Sequence, residues 1–398
     1  MRDVYIVDFA RTAFGRMGGG LRSFCATELG GKVIEGLMAR YDPELKNAVD
    51  GVVAGCAFPD EKAISHARFM AQLGGLPFSV NGTTAEMACG SSLVSINVAA
   101  WKIAMGAADV MLAGGAESHS RRPAKFSMSV EPYKAIPPMP IDQHVSPFPE
   151  EDIEMIDISD KMAKVWNISR EECDEFACAS QQRLADAVSS GLVGSEIVPV
   201  VIPATKKTPE IVIDKDEQPR PGTTIEGLAK LRAVNEGGVT TAGNASGVND
   251  GAAFVLLMTE EKLREFGLQP VARWIAGADV GCQPSLMGIG AAYAAQKVLK
   301  LAGKSLRDLD VIECNEAFAA QNLSVIKELE AQSGISIDRS KWNPNGGAIA
   351  IGHPNGASGA RITGFAMRQL ERSGGRYGLA TTCCGGGQGV ALLLENLR

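Results

Sequence analysis

A glycine-rich stretch between Asn345 and Gly359 constrains the fold more than any other part of the sequence, and it surrounds His353, one of only four histidines. Each glycine costs about 0.5–1 kcal/mol relative to alanine inside a helix or strand, so we expect a turn with close backbone contacts or positive φ angles. An apolar pattern of helical period follows over residues 357–372. The sequence therefore predicts that His353 lies on a sharp turn at the start of a helix. A turn whose histidine only makes local hydrogen bonds fits the same residues.

Composition and charge restrict the class of protein. A chain of 398 residues is long enough for two or three domain-sized units with buried cores. The net charge of −7 argues against nucleic acid or an anionic membrane as the main partner. No apolar run reaches the length of a membrane span, and the first residues predict a strand rather than a signal peptide. We therefore expect a cytoplasmic protein.

The nine cysteines are scattered and never spaced as Cys-x-x-Cys. This usage is typical of a reducing compartment, and it predicts neither a disulfide framework nor a metal site. Cys89 precedes a predicted helix, whose N-terminus would lower its pKa and favour the thiolate. Cys383 is followed by glycines whose N–H groups would be open to an oxyanion, whereas Cys384 is assigned to packing. Taken alone, Cys89 and Cys383 also fit buried, unreactive thiols.

Strand and helix patterns alternate along most of the chain, and one of the predicted strands is the short apolar run Val311–Cys314. This alternation is typical of α/β units around a largely parallel sheet. The alternation is interrupted over residues 119–247, where a proline-rich, acidic stretch precedes two predicted helices and two short strands. The first helix is predicted from about residue 159, and a capping box of Ser169 and Glu172 opens the second. We interpret this segment as an insertion that lies over the core and forms a lid or ligand-binding unit. One core half then comprises residues 1–118 with about 248–270, and the other comprises residues 271–398.

The two halves show a weak internal repeat in which Cys89 and His353 hold similar places. Each is followed by a predicted helix, a strand and a cluster of glycines. If two similar halves pack side by side, then Cys89, Asn315, His353 and Cys383 surround one point. Each of them follows a predicted strand or precedes a predicted helix, where ligand sites of α/β sheets normally lie.

Six short motifs occur along the chain: Cys89-Gly-Ser-Ser, Ala113-Gly-Gly-x-Glu-Ser118, Asn244-Ala-Ser-Gly-x-Asn-Asp-Gly251, Asn315-Glu-Ala-Phe-Ala, Gly352-His353-Pro-x-Gly-x-Ser-Gly and Cys383-x-Gly-Gly-Gly-x-Gly. This set resembles the thiolase family, the acyl-CoA acyltransferases, over essentially the whole chain and in the same order. The resemblance implies an α/β fold of two related βαβαβαββ halves in five layers, α-β-α-β-α. A loop domain is inserted in the first half.

The resemblance also implies a reaction and its residues. His353 would take the proton of Cys89, whose thiolate attacks the keto carbonyl of a 3-oxoacyl-CoA. Cys383 would protonate the released acetyl-CoA enolate and later deprotonate a second CoA thiol. Asn315 would hold a water at one oxyanion site, and the N–H groups of Cys89 and Gly385 would form the other.

Coenzyme A is then a co-substrate, and no permanently bound cofactor or metal is implied. By the family pattern, Ser246 contacts the pantetheine arm and Arg220 lies near the adenine end. Met155, Ala317 and Phe318 are expected to border the substrate. A homodimer or homotetramer is implied.

Two segments depart from the family pattern. Acetoacetyl-CoA thiolases usually carry a histidine in a loop-domain run that here is Asp152-Ile-Glu154-Met155-Ile156, without histidine. Where many members have Gly-x-Gly-Pro-Val-Pro-Ala, this chain has Gly288-Ile-Gly290-Ala-Ala-Tyr293-Ala. In the family both segments border the acyl pocket. We therefore expect a degradative enzyme for a long, branched or aromatic acyl group, with an acetoacetyl-CoA thiolase as the alternative.

Other classes fit the sequence less well. A 3-oxoacyl-carrier-protein synthase uses two late histidines, whereas only His353 lies beyond residue 144. A dinucleotide enzyme would show Gly-x-Gly-x-x-Gly after the first strand, and this chain does not. A non-catalytic acyl-CoA-binding subunit conflicts with the presence of all four catalytic residue types. The altered loop domain nevertheless leaves room for an accessory subunit.

Overall fold

A computed structural model describes residues 1–59, 63–127, 131, 133–134 and 136–398. The helices are α1 Ala26–Met38, α2 His66–Leu73, α3 Ser91–Ala104, α4 Met155–Val165, α5 Arg170–Ser189, α6 Ile225–Ala229, α7 Glu260–Glu265, α8 Gly290–Leu301, α9 Ala319–Ser333, α10 Ala348–Ile351 and α11 Asn355–Ser373. The strands are β1 Val4–Arg11, β2 Gly15–Arg16, β3 Gly51–Gly55, β4 Asn81–Ala85, β5 Val110–Ser118, β6 Val200–Ile202, β7 Ile211–Ile213, β8 Asn249–Met258, β9 Ala272–Gly281, β10 Val311–Cys314, β11 Tyr377–Cys384 and β12 Gln388–Asn396.

The strand order shows the duplication of the core. It runs β10-β11-β12-β9-β1-β8-β5-β3-β4, with β2 paired to β8. The two halves meet where β1 pairs with β9, over three residue pairs from Val4–Trp274 to Ile6–Ala272. Next to β1 lies β8, the last strand of the first half, and then β5, which carries a glycine pair. Next to β9 lies β12, the last strand of the second half, and then β11, which is followed by glycines. The halves therefore repeat one topology about a shared edge.

The prediction of a largely parallel sheet is wrong. Among the described residues, the strand pairs β3–β4, β3–β5 and β10–β11 are parallel, and the other pairs of the large sheet are antiparallel. The physical reason is visible at β11 and β12, which are joined by only three residues. A connection this short closes an antiparallel hairpin, whereas parallel neighbours need a long crossover.

Alternate residues of the strands face different helix layers, and this produces five layers. In the first half, Val52 and Leu112 face α1 and α2, whereas Val53 and Met111 face the centre. The central layer consists of α3 and α11, which pack against each other and against both halves of the sheet. On the far side, α8 and α9 cover the second half, where Leu393 belongs to their core. The five-layer α-β-α-β-α arrangement is confirmed.

The glycine-rich stretch behaves differently along its length. Gly346 and Gly352 have φ angles of 75° and 108°, as a turn requires. Gly356 and Gly359 instead lie inside α11, which begins at Asn355, two residues before the predicted helical pattern. A Cβ atom on Gly359 would lie 2.4 Å from the backbone nitrogen of Leu93 in α3. Glycine is therefore used in α11 for the close approach of two helices.

The segment over residues 119–247 contains α4, α5, α6 and the two-stranded sheet of β6 and β7. Ser169 caps α5 as predicted, since its side chain accepts from the N–H of Glu172 while the Glu172 carboxylate accepts from the N–H of Ser169. The preceding helix, predicted from residue 159, begins earlier, at Met155. Both α4 and α5 pack against α9, so the segment lies on the second half of the core. Among the described residues, every helix is too short or too polar to span a bilayer.

Candidate active site

Cys89 lies on a strained turn between β4 and α3. The preceding residue, Ala88, has a φ angle of 43°, which is unfavourable for a residue with a Cβ atom. Ser91 holds the turn, because its hydroxyl donates to the carbonyl of Ala88 at 2.7 Å and accepts from the N–H of Met87 at 2.9 Å. Cys89 is thereby kept partly exposed at the N-terminus of α3.

His353 lies on a sharp turn at the start of α11, as the sequence predicts. Its backbone N–H donates to Asn249 Oδ1 at 2.9 Å, and its Nδ1 lies 2.6 Å from Ser358 Oγ. The single hydroxyl hydrogen of Ser358 is donated to the carbonyl of Pro354 at 3.0 Å. With the hydroxyl in this direction, Nδ1 carries the hydrogen of its bond to Ser358, which leaves Nε2 of the neutral ring free to accept a proton.

Two carboxamide groups approach Nε2 of His353. Asn315 Nδ2 and Asn355 Nδ2 each lie 3.4 Å from it. Asn355 Nδ2 also lies 3.0 Å from Cys89 Sγ, so one amide touches both the sulphur and the imidazole. Burial, the nearby Arg361 guanidinium and His119 lower the pKa of His353 to about 3. The imidazole is therefore neutral near pH 7, as a proton acceptor has to be.

The expected low pKa of Cys89 is wrong. Burial raises the pKa of this thiol, and the negative charge of Glu117 acts in the same direction. Hydrogen bonds from Asn355 and from the N–H of Gly385 act in the opposite direction but do not outweigh burial. The resting group is consequently a thiol, which would have to lose its proton to a base before it could act as a nucleophile.

The glycine turn after β11 closes the site. Gly385 reaches Cys89 through its backbone N–H, and the next two residues have positive φ angles of 83° and 78°. Cys383 is fully buried at the end of β11, and burial and the nearby Cys89 raise its pKa well above the ordinary value. Cys384 packs towards Gly90. The structure thus brings together Cys89, Asn315, His353, Cys383 and Gly385.

A second group of predicted residues lies beside the His353 turn. The chain before β8 pairs with that turn through Val248, and it pairs with Phe318 through Ala245. Within this stretch, the N–H of Ser246 donates to the carbonyl of Ala317 at 3.0 Å. Ser246, Ala317 and Phe318 therefore form one continuous strip that leads to His353.

The two remaining predicted residues are not part of the cluster. Met155 begins α4 and packs against the core of α8 and α9. Arg220 is exposed, and its backbone N–H donates to Gln181 Oε1 at 2.8 Å. Among the described residues its guanidinium makes no ion pair or hydrogen bond. No contact connects it with Cys89 or His353 in the described part of the chain.

Glu117 helps to hold the backbone around the site, a role that the sequence did not reveal. Its buried carboxylate accepts from the N–H groups of Ala57, Phe58 and Gly356 at 3.0, 3.1 and 2.9 Å. It therefore connects the ends of β3 and β5 to the first turn of α11. Its motif was recognised only as part of the family pattern.

Asn355 and His119 were missed altogether. Position 355 is unspecified in the motif around His353, and the chain separates the two residues by more than 200 positions. The structure places His119 Nε2 2.6 Å from Asn355 Oδ1. The one available signal was that His119 directly follows the Ala113–Ser118 motif. Among the described residues, no group of three or more His, Cys, Asp or Glu side chains is arranged to hold a metal.

Comparisons with known proteins identify the family of this chain. Two family models match nearly the whole chain, "Thiolase, N-terminal domain" over residues 4–261 and "Thiolase, C-terminal domain" over residues 268–396. A beta-ketoadipyl-CoA thiolase of Acinetobacter baylyi is 44% identical, with 100% of both chains covered. A 3-oxoadipyl-CoA/3-oxo-5,6-dehydrosuberyl-CoA thiolase of Escherichia coli is also 44% identical over 100% of both chains. The crystal structure of the Bacillus anthracis acetyl-CoA acetyltransferase superposes with a TM-score of 0.89 at 37% identity, covering 100% of this chain and 99% of that one. The chain therefore belongs to the thiolase family of acyltransferase enzymes.

Proposed function

We propose that this thiolase catalyses the CoA-dependent cleavage of a 3-oxoacyl-CoA through an acyl group carried on Cys89. The observation that carries the proposal is the arrangement of two groups around one amide: Asn355 Nδ2 lies 3.0 Å from Cys89 Sγ and 3.4 Å from His353 Nε2, while His353 Nδ1 is bonded to Ser358. A protonated thiol beside a neutral imidazole is the starting state that nucleophilic catalysis by a cysteine needs.

The first half-reaction transfers the shortened acyl group to the enzyme. Nε2 of His353 takes the proton of Cys89, and the thiolate attacks the keto carbonyl. The bond between the α and β carbons breaks, and the electron pair forms the enolate of acetyl-CoA. Cys383 gives this enolate its proton, and the acyl group remains as a thioester on Cys89.

The second half-reaction restores the enzyme. Cys383 takes the proton of a second CoA thiol, whose sulphur attacks the acyl-enzyme and releases a shortened acyl-CoA. Cys89 leaves as a thiolate and takes back the proton that Nε2 of His353 accepted in the first half-reaction. Charge develops on a carbonyl oxygen in each step, so two oxyanion sites are needed. We assign one to a water held by Asn315 together with His353, and the other to the N–H groups of Cys89 and Gly385. Removing one such donor typically costs about 2.7–4 kcal/mol of transition-state stabilisation.

Coenzyme A serves as co-substrate in this scheme, without a resident cofactor. The strip formed by Ser246, Ala317 and Phe318 leads to His353, and we assign it to the pantetheine arm. The exposed Arg220 is assigned to the adenine end. We further propose that the enzyme works as a homodimer or homotetramer, which light scattering of the purified protein would determine.

For the substrate we propose an acyl group larger than that of acetoacetyl-CoA, cleaved in a degradative direction. Two relatives at 44% identity are named for ketoadipyl-type acyl groups. In this chain α8 begins without proline, and Ala291 and Ala292 are fully buried in the core at its start. The segment that borders the acyl pocket in the family is thus built from different side chains here.

A panel of substrates tests the proposal. Thiolysis of acetoacetyl-CoA is compared with that of 3-oxoadipyl-CoA and of long, branched and aryl 3-oxoacyl-CoAs, and the acyl adduct on Cys89 is identified by mass spectrometry. We expect a higher kcat/KM for at least one larger substrate. A clear preference for acetoacetyl-CoA would favour the acetyl-CoA acetyltransferase named for the Bacillus anthracis structure. The absence of any adduct would favour a non-catalytic acyl-CoA-binding subunit.

A further inference from the structure

Asn355 occupies a position that the proposed reaction does not use. It is the first residue of α11, directly after His353 and Pro354, and it is partly exposed. Its side chain contacts three groups at once. Nδ2 lies 3.0 Å from Cys89 Sγ and 3.4 Å from His353 Nε2, while Oδ1 lies 2.6 Å from His119 Nε2.

These contacts assign the orientation of the amide. A carboxamide oxygen only accepts hydrogen bonds and its nitrogen only donates them. His119 must therefore donate from Nε2 to Oδ1, and the two hydrogens of Nδ2 are directed towards Cys89 and His353. His353 Nε2 carries no hydrogen in the resting site, and a thiolate is likewise an acceptor. Every contact of Asn355 then joins a donor to an acceptor.

His119 is itself held in place by two strands. It directly follows β5, and its ring packs on Phe58 with the ring centroids 5.2 Å apart. The backbone of Phe58 is fixed by its bond to Glu117, at 3.1 Å. The next residue, Ser120, donates its N–H to Asp250 Oδ1 of β8 at 2.9 Å and its hydroxyl to the other carboxylate oxygen. The imidazole therefore presents Nε2 to the amide from a fixed backbone.

We propose that Asn355 is a further catalytic residue that donates a hydrogen bond to the reacting sulphur of Cys89, and that His119 is the positioning residue that orients this amide. When the proton of Cys89 moves to His353 Nε2, the sulphur gains a negative charge while Asn355 keeps both of its hydrogens. The thiolate then accepts from Asn355 Nδ2 and from the N–H of Gly385. The same bond stabilises Cys89 as the leaving group when coenzyme A attacks the acyl-enzyme.

The inference rests on the proposed function only in taking Cys89 as the nucleophile. Alkylation of Cys89 by iodoacetamide measures its thiolate directly and needs no acyl-CoA, so a failure here is distinguishable from a wrong substrate. The full-length protein is alkylated over a range of pH, and the Cys89 peptide is quantified by mass spectrometry. The other titratable or charged groups near the sulphur, the amide and the two imidazoles are unchanged in all variants: Glu86, Glu117, Asp250, Arg361, Cys383 and Cys384.

Asn355→Leu removes the donor and keeps the size of the side chain. We expect the midpoint of the alkylation profile to rise by about one pH unit and the rate near neutral pH to fall about ten-fold, as for the loss of a hydrogen bond to a charged acceptor. Asn345→Leu is the matched control, because this asparagine lies in the same stretch but bonds to Gln369 at 3.1 Å. An Asn355→Leu protein that melts like the parent and keeps its alkylation midpoint would overturn the proposal.

The role of His119 is tested by substitution and rescue. His119→Leu removes the donor to Oδ1 and should raise the midpoint by part of the Asn355→Leu shift, whereas His119→Gln can still donate and should restore it. In the Asn355→Leu background, His119→Leu should add no further shift, because the amide through which it acts is absent. A shift of full size in that background would overturn the positioning role, since His119 would then act on the sulphur by its own charge or packing.

Discussion

The turn that carries Cys89 and the turn that carries His353 are the same element in two halves of the fold. Each follows backbone with positive φ, at Ala88 and at Gly352, and each opens a helix of the central layer. The two turns differ in their exposure to solvent and in the hydrogen bonds that hold them. The Cys89 turn is partly exposed and held by Ser91, whereas the His353 turn is buried.

The difference shows how a duplicated framework acquires two roles. His353 has its backbone N–H and Nδ1 bonded to Asn249 and Ser358, so only Nε2 faces the site. Cys89 has its sulphur in contact with donors that favour its charged state, whereas burial and the negative charge of Glu117 oppose that state. In the proposed reaction, His353 is therefore held as the base, and Cys89 is the group whose charge changes.

The largest effect is expected when the thiol of the Cys89 turn is replaced by an alcohol. Cys89→Ser should lower kcat/KM for thiolysis by about a thousand-fold or more, because an alcohol is far less acidic and His353 cannot activate it as a thiol. Steady-state kinetics with a cleaved 3-oxoacyl-CoA measures the loss. Cys178→Ser, a buried cysteine on α5, is the control and should retain activity. An equal loss in both variants would contradict the assignment of Cys89.

The next effect tests the burial of the histidine turn. The folded-state pKa of His353 is lowered from the ordinary 6.5 to about 3. Unfolding then binds a proton, so this residue's contribution to stability is complete above pH 6.5 and is lost as the pH falls towards 3. The free energy of unfolding of the parent relative to His353→Gln should fall by up to about 1.4 kcal/mol per pH unit in that range.

Denaturant titrations at several pH values measure this slope, and His144→Gln is the control. The hydrogen bond to Asp152 raises the pKa of the exposed His144, so its contribution has the opposite sign and is lost as the pH rises. A difference between the parent and His353→Gln that does not vary with pH would show that His353 is not buried in its neutral form.

A smaller effect tests the contact between α3 and α11, the helices that follow the two turns. Gly359→Ala places a methyl group 2.4 Å from the backbone of α3, and overpacking of this kind typically costs about 1–3 kcal/mol. Thermal and denaturant unfolding report the loss of stability. Gly222→Ala, which has no atom within 4 Å of its added Cβ, should be close to neutral. Equal stabilities of the two variants would mean that α3 and α11 can separate freely.

The smallest expected effect compares the two serines that hold the turns. Ser358→Ala frees Nδ1 of His353 and should lower kcat/KM about ten-fold, as the loss of one buried hydrogen bond implies. Ser91→Ala removes the bonds to Ala88 and Met87 and should mainly lower the melting temperature. If both substitutions changed kcat/KM equally, the hydroxyl of Ser358 would have no special part in orienting the imidazole.

Local features of the fold were predictable from the sequence. The strand Val311–Cys314 has the predicted bounds, because it is a short apolar run between polar residues. The cap at Ser169 was recognisable because both partners lie within one helical turn. The convergence of Cys89 and His353 followed from the internal repeat and from the family resemblance. These inferences depend on neighbours along the chain or on a pattern of the whole sequence.

Features that depend on pairing or burial were not predictable. The direction of β12 relative to β9 arises between strands about a hundred residues apart, and periodicity carries no information about it. The raised pKa of Cys89 results from atoms that surround it only after folding, while its place at a helix start suggests the opposite shift. Asn355 contacts Cys89 across 266 positions of the chain, at a site that the motif leaves unspecified.

The glycine contact between α3 and α11 limits how far Cys89 and His353 can move relative to each other. Where Gly359 meets Leu93, backbone lies against backbone, and no rotatable side chain is interposed that could repack. The distance between the sulphur of Cys89 and the imidazole of His353 is therefore set by two helices whose backbones are in direct contact. Repacking of the outer helices can lower the stability of the whole protein, whereas the distance between the sulphur and the imidazole stays the same.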